Sequence, residues 1–193
     1  GIIAVMETRS AILHSACLLF SQRGYDAVGV QELVDAVGVA KPSLYHHFGS
    51  KQGVLEALLA MYLKPFNLKL AERCVYHQDI VLSLEGVART FFEFAQLEPL
   101  FFRLWMTMRL APAQSVPFEA LSPYAQVQQQ LLSTLFANAA LQHGNLRDKQ
   151  DMLALSFSGL LYIYATQAIQ TRRKMDETMV YRIVHQFMYG IFS

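Results

Sequence analysis

The sequence predicts an all-α protein, and three observations carry that prediction. Apolar residues recur at three- and four-residue spacing along nearly all of the 193 residues. Glycine, proline and short polar runs interrupt that period at intervals of helix length. No stretch alternates apolar and polar residues for long enough to make a half-buried strand. Within this class the chain divides into a small three-helix head, residues 1–51, and a larger helical-bundle body, residues 52–193, that dimerises.

The head begins with a helix from about Glu7 to Gln22. Ile12, Leu13, Ala16, Leu19 and Phe20 form its apolar stripe, and Gly24 ends it. From Val30 to Lys51 the chain reads as helix, tight turn, short helix and a new helix start. Leu33, Ala36 and Val37 keep helical spacing up to Gly38, which suits the left-handed position that ends a helix. Val39 anchors the turn. Pro42 fits the first position of the next helix, where its missing N–H needs no partner. Leu44 and Phe48, four apart, share one face. Lys41, Ser43, Tyr45, His46 and His47 are left around the other sides. Ser50 is placed as the N-cap of a following helix, with Lys51 in its first turn.

Two short helices joined by a glycine turn make a helix-turn-helix pattern, whose second helix enters a DNA major groove. Ile12, Ala16, Leu19, Phe20, Gly24, Tyr25, Leu33, Gly38, Val39, Leu44, Tyr45, Phe48 and Lys51, with the run GVAKPSLYHHFGSK, resemble the DNA-binding domain of the TetR family of bacterial transcriptional regulators. The resemblance covers about the first quarter of the chain. It implies DNA-binding roles for Gly29, Lys41, Pro42, Ser43, Tyr45, His46, His47 and Lys51. Tyr45 and Lys51 are assigned to phosphates, and Lys41, Ser43 and His46 to base edges. The family usually carries Ser or Thr at the cap of the second helix and again before the recognition helix. This chain has Val28 and Gly29 at the first place and Ala40 at the second, so two hydroxyl contacts are missing.

Charge gives little help to a nucleic-acid reading. The whole chain carries +1. In residues 1–51, Arg9, Arg23, Lys41 and Lys51 balance Glu7, Asp26, Glu32 and Asp35. A DNA-binding surface must then come from the sorting of charge in space and its doubling in a dimer.

A long helix follows Ser50, with Leu55, Leu58, Leu59 and Tyr62 on one face. It joins head to body, and Pro65 is expected to kink or interrupt it near Met61. Further helices are expected over Ile80–Gln96, Glu98–Leu110, Phe118–His143, Leu146–Arg172 and Glu177–Phe192, with Pro123 marking a start inside the third. The run Met152–Ile169 has no charge and is near the minimum length for a bilayer span. Ser156, Ser158, Gly159, Thr166 and Gln167 lower its apolarity. A helix covered on all sides is the preferred reading, which in a bundle this small needs a partner on the outer face. No membrane association is expected. Met152–Ile169, with Tyr181, Val184, Met188 and Phe192 on the last helix, is the expected homodimer interface.

Chemistry-bearing motifs are sparse. His46 and His47 are adjacent and cannot chelate a metal as a pair. His14, His77, His143 and His185 lack ligand spacing, so no metal site is expected. No GxSxG, phosphate loop or nucleophile–base arrangement occurs, so neither enzyme activity nor a cofactor is expected. Cys17 and Cys74 lie inside helical patterns and read as buried thiols in a reduced, cytoplasmic setting. Residues 1–5 show no charged start or cleavage site, so no secretory leader is expected.

The body is rich in aromatic residues. The resemblance implies a small-molecule effector in an internal cavity there, and an apolar or aromatic ligand suits such a lining. Phe91, Phe101, Trp105, Met108, Tyr124, Phe157 and Tyr162 are the candidate contacts, with Arg109, Gln128, Tyr164 and Gln167 as polar partners. The expected function is a ligand-responsive repressor that binds a palindromic double-stranded operator as a homodimer. The alternatives are a regulator without an effector and, from another class, a helical enzyme or carrier with an aromatic pocket.

Overall fold

The structure is a computed structural model, and it describes residues 2–190, with side chains from residue 5. Its elements are α1 (Ile2–Arg23), α2 (Val30–Asp35), α3 (Lys41–Phe48), α4 (Lys51–Arg73), α5 (Ile80–Leu97), α6 (Pro99–Arg109), α7 (Val116–Ala140), a 3-10 turn at Gly144–Leu146, α8 (Gln150–Thr171) and α9 (Glu177–Tyr189). No strand occurs among the described residues. The all-α class and the three-helix head read from the sequence are both present. Phe192, named above for the interface, lies outside the described residues.

Several boundaries differ from the sequence reading; α7 ends at Ala140 rather than His143, and α8 starts at Gln150 rather than Leu146, after the 3-10 turn. α1 starts at Ile2 rather than near Glu7, because no cap or breaker precedes that turn. α4 is assigned through Pro65 without interruption. Proline removes one backbone bond, and in a helix of 23 residues the flanking turns carry the helix past it. α7 likewise starts at Val116 and passes through Pro123. Its start is set by Ser115, whose Oγ accepts from the Phe118 N–H at 3.4 Å.

Backbone contacts group the chain into two units. One comprises Gly1–Lys64 with Leu100–Pro123; the other comprises Pro65–Pro99 with Tyr124–Ser193. Each boundary falls beside a proline. In the first unit, Ile12, Leu13, Ala16 and Phe20 of α1 are buried, as are Leu33, Val34, Leu44, Val54, Leu55, Leu58 and Leu59. Tyr25 closes this cluster with its ring 5.2 Å from Phe20. On α6, Phe101 stacks on Tyr62 at 4.2 Å and Phe102 meets Trp105 edge-on at 5.6 Å.

In the second unit α5 is the hub and packs mainly against α8 and α9. Leu84, Val87, Ala88, Phe91 and Ala95 are buried along it. Asp79 caps α5 by accepting from the Leu82 N–H at 2.9 Å. Phe66 contacts Phe91 and Phe94 edge-on, at 4.9 and 5.0 Å. A separate ring cluster joins Phe157 to Phe187 at 4.9 Å and Phe187 to Phe136 at 6.0 Å. Such edge-on pairs add about 0.5–1.5 kcal/mol beyond area burial.

Candidate nucleic-acid interface

The helix-turn-helix is built from backbone closures and a few side-chain ties. Gly29 caps α2 with extended φ −90° and ψ 160°. It has no side chain to cap with, so the reciprocal capping box is half formed: Glu32 Oε1 accepts the Gly29 N–H at 3.2 Å. The other Glu32 oxygen pairs with Arg23, at the end of α1, whose guanidinium also donates to the Ala27 carbonyl at 3.1 Å. The Gly29 amide first, and Arg23 second, hold the Glu32 carboxyl below its usual range. The departure at Val28–Gly29 therefore leaves the helix start intact.

Gly38 takes φ +69°, and across it the Val39 N–H donates to the Val34 carbonyl at 3.0 Å. α3 then starts at Lys41, which places Pro42 at its second position rather than its first. The difference is harmless, since N–H groups through the first turn have no helical partner. Gly49, at φ +74°, closes α3 with its N–H on the Tyr45 carbonyl at 2.9 Å. Ser50 caps α4 as expected, its Oγ accepting from Gly53 at 3.0 Å.

Two features of this junction were not read from the sequence. A Cβ added to Gly53 would lie 1.8 Å from the Phe48 carbonyl oxygen, so only glycine permits the approach of α3 to α4. The visible signal was a glycine inside a helical pattern three residues after a cap. The second is the Arg23–Glu32 tie. Glu32 stands three residues after the cap, the spacing of a capping box, and was legible in principle.

Lys51 has a different setting from the open phosphate contact expected of it. Its Nζ donates to the Tyr25 and Val28 carbonyls, both at 2.9 Å, and lies 4.1 Å from the Tyr25 ring centroid. An ammonium has three donors, so one N–H is left for an outside acceptor. Lys51 is thus first a clamp on the loop between α1 and α2.

Leu44 is fully buried and anchors α3. Lys41, Pro42, Tyr45 and His46 are exposed, as is Gly29, and Ser43 is half-buried. Tyr45 keeps 48% of its surface open. His47 is half-buried, with its ring 5.9 Å from Phe48, whose other neighbour is the Arg9 guanidinium at 5.3 Å. The structure therefore brings Lys41, Ser43, Tyr45 and His46 together on a short helix and turns His47 partly inward. Glu32 is neutralised by Arg23, while no carboxylate pairs with Lys41 among the described residues. That pair removes one cation and one anion together, so the balance of the head stays at zero and Lys41 is left with its charge open.

The candidate effector residues divide between the units. Phe101, Trp105 and Met108 are buried in the first. Phe91, Tyr124, Phe157 and Tyr162 belong to the second. There Phe91 meets Tyr162 edge-on at 5.3 Å. Tyr162 Oη lies 3.4 Å from Gln128 Oε1, Gln128 Nε2 donates to Asn67 at 2.8 Å, and Asn67 donates to the Tyr124 carbonyl at 3.3 Å. Phe157 instead joins the Phe136–Phe187 cluster. Of the polar partners, Gln128 is buried and Gln167 is exposed.

α8 has two apolar faces. Ala154, Phe157, Leu161, Tyr162, Ala165 and Ala168 are buried. Met152, Leu155, Ser156, Ile163 and Gln167 are exposed, with Gly159 half-buried among them. Leu155 is 62% and Ile163 70% exposed. On α9, Tyr181 is exposed and Val184 is buried within its own unit. α8 is long and apolar enough to cross a membrane by length and composition, with 39% of its apolar window buried. Its other face packs as a core helix of the second unit.

These features define a helix-turn-helix protein of wholly helical build. Residues 12–58 match the sequence profile of the bacterial regulatory proteins of the tetR family. The repressor KstR2 of Rhodococcus jostii is 34% identical over 85 residues, 44% of this chain. The chain spans 42% of that relative's length. Among solved structures, FadR of Bacillus subtilis in complex with stearoyl-CoA is similar with a TM-score of 0.76 at 15% identity, covering 94% of this chain and 98% of FadR. The ketosteroid regulator KstR2 of Mycobacterium tuberculosis gives 0.73 at 17%, covering 95% and 94%. At these identities the structures speak for the fold. Residues 12–58 thus carry the likeness to that family, and the chain as a whole shares the fold of the two solved regulators.

Proposed function

We propose that this protein is a cytoplasmic transcriptional repressor that binds a palindromic DNA operator as a homodimer and releases it on binding a small molecule. The observation that carries the reading is α3. Leu44 fixes the helix from inside, Lys41, Tyr45 and His46 stand out from it, and Ser43 is half-open beside them. These are short, planar or cationic donors suited to base edges and phosphates. The similar KstR2 of Rhodococcus jostii is a repressor, which favours that sign of regulation.

The homodimer rests on α8. A stripe of Met152, Leu155, Gly159 and Ile163 at helical spacing would not stay in water on a solitary chain. The small residues Ser156 and Gly159 permit close helix approach. Two copies joined there would present two α3 helices to successive major grooves, about 34–36 Å apart or a multiple of that.

The effector is an apolar or aromatic small molecule. The ring-rich cores of both units support this, as do the ketosteroid and stearoyl-CoA named for two proteins of similar fold. Coupling is reciprocal, so operator DNA weakens effector binding by the factor with which effector weakens DNA binding. The test is selection of bound duplex from a random pool, repeated with a metabolite mixture. Enrichment of an inverted repeat that the mixture reverses is the expected result. Enrichment unaffected by any ligand that shifts Trp105 fluorescence would leave the DNA reading and remove the switch.

A further inference from the structure

The turn from α8 to α9 gathers charge that the proposed function does not use. Arg172, Arg173, Lys174 and Arg182 lie within eleven residues and are a quarter of the 16 Lys and Arg of the chain. Arg173, Lys174 and Arg182 line a recess of about 360 Å³ together with Tyr164, Thr178 and Gln186. No carboxylate pairs with any of the four cations among the described residues. Of the two carboxylates beside them in sequence, one shares the recess and one is held outside it. Asp176, also in the recess wall, accepts the Met179 N–H at 3.1 Å as the cap of α9. Glu177 is held by Arg89 through two bonds of 2.7 Å.

The recess also has directional donors. Tyr164 Oη donates to Gln186 Oε1 at 3.2 Å, which leaves the Gln186 amide N–H groups free to donate. The Thr178 hydroxyl is on the same wall. Arg172 itself is left-handed, at φ 53°, where the Arg173 N–H closes α8 on the Ala168 carbonyl at 2.8 Å. Glycine is the usual residue at such a closure, and an arginine stands there instead.

We propose that this recess binds a small molecule bearing two or more phosphate charges. Several unpaired cations in one place repel each other and favour a multivalent anion between them. Guanidinium forks match phosphate oxygens two at a time. The volume is at the small end of ligand sites, and the concave shape fits a compact ligand better than a duplex backbone. Of the residues assigned to the apolar effector only Tyr164 lines this recess, so either site can fail without the other.

Calorimetric titration of the whole chain with inorganic pyrophosphate, at constant ionic strength, tests the proposal. One site per chain is expected. The Arg173→Ala/Arg182→Ala protein should bind roughly a hundredfold more weakly, at about tenfold per cation removed. Lys174→Gln, a lone change in the turn, should cost about tenfold and serves if the double variant fails to fold. Arg147→Ala, in the exposed turn before α8, should bind as the wild type does. No heat from the wild type at millimolar pyrophosphate would overturn the proposal, as would an equal loss in Arg147→Ala. So would a double variant that keeps pyrophosphate binding but loses affinity for mixed-sequence duplex, since the cluster would then be a nucleic-acid contact.

Discussion

In the helix-turn-helix, Leu33, Val34 and Leu44 are sealed inside while Lys41, Tyr45 and His46 face out. On α8 the arrangement is doubled, with one apolar face in the core and Leu155 and Ile163 on another in the open. The first surface is finished with respect to water and offers polar groups to a polar partner. The second is unfinished, and only another apolar surface completes it. The surface proposed to read DNA and the helix face proposed to meet its own copy thus differ in what burial leaves on the outside. The two regions also differ in how they are held. The head relies on closures at Gly38, Gly49 and Gly53 and on ties from Arg23 and Lys51, whereas the second unit relies on interlocking rings.

The comparison can be broken from either side, and the open face of α8 should give the largest effect. Leu155→Arg combined with Ile163→Arg is expected to convert a dimer into a monomer at micromolar concentration, because stable dimer interfaces of about 2,000 Å² tolerate no unpaired buried charge. Sedimentation velocity reads this directly. A protein that stayed dimeric would place the interface elsewhere.

Next in size is Gly53→Ala. The added methyl meets backbone, not a flexible side chain, so α3 or α4 must shift. A loss of about 1–3 kcal/mol is expected, as for overpacked sites, together with weaker DNA binding. Denaturant midpoints and duplex titration check both; an unchanged midpoint would show that the junction yields freely.

Lys51→Met sharpens the role of the clamp. It removes two bonds to carbonyls and a contact with the Tyr25 ring, a loss of roughly 1–2 kcal/mol. Hydrogen exchange should rise in residues 24–29 with DNA absent. If only the salt dependence of DNA binding changed, by about one unit of slope, Lys51 would be a phosphate contact and no clamp.

The smallest effect belongs to Glu32. Its carboxyl is held below its ordinary value of 4.5 in the folded state. A depressed acid stabilises the fold above its unfolded value and loses that contribution as pH falls through the folded one. Acidification below about pH 4.5 should therefore destabilise the wild type more steeply than Glu32→Gln, as followed by thermal melting in a pH series. Parallel curves would mean the Arg23–Glu32 tie contributes nothing in solution.

Much of the head was legible because its signals are local. Gly38 announces its closure through intrinsic backbone preference, Ser50 its cap through its hydroxyl, and Leu44 its burial through spacing, whereas the closure at Gly49 appears only in the structure. Contacts that join distant positions were less visible. Lys51 reaches back 26 residues to Tyr25, and the use of its ammonium there competes with the phosphate role suggested by family resemblance. The start of α7 at Val116 lies where Pro117 reads as a break although the helix carries through it, and the start of α1 at Ile2 has no local signal, since neither cap nor breaker stands in residues 2–6. In the body, periodicity found helices and buried rings but could not say which rings meet. Phe157 was grouped with Tyr162, yet its partner is Phe187.

The most direct test of the central claim is a hydroxyl-radical footprint of the wild-type protein on its selected duplex. Two protected patches on one face of the DNA are expected, centred about 10–10.5 base pairs apart or a multiple of that, and both should vanish together in a Lys41→Ala/His46→Ala protein that remains folded and dimeric. A single continuous patch, or protection that persists in that variant, would contradict the reading of α3 as the helix that enters the major groove.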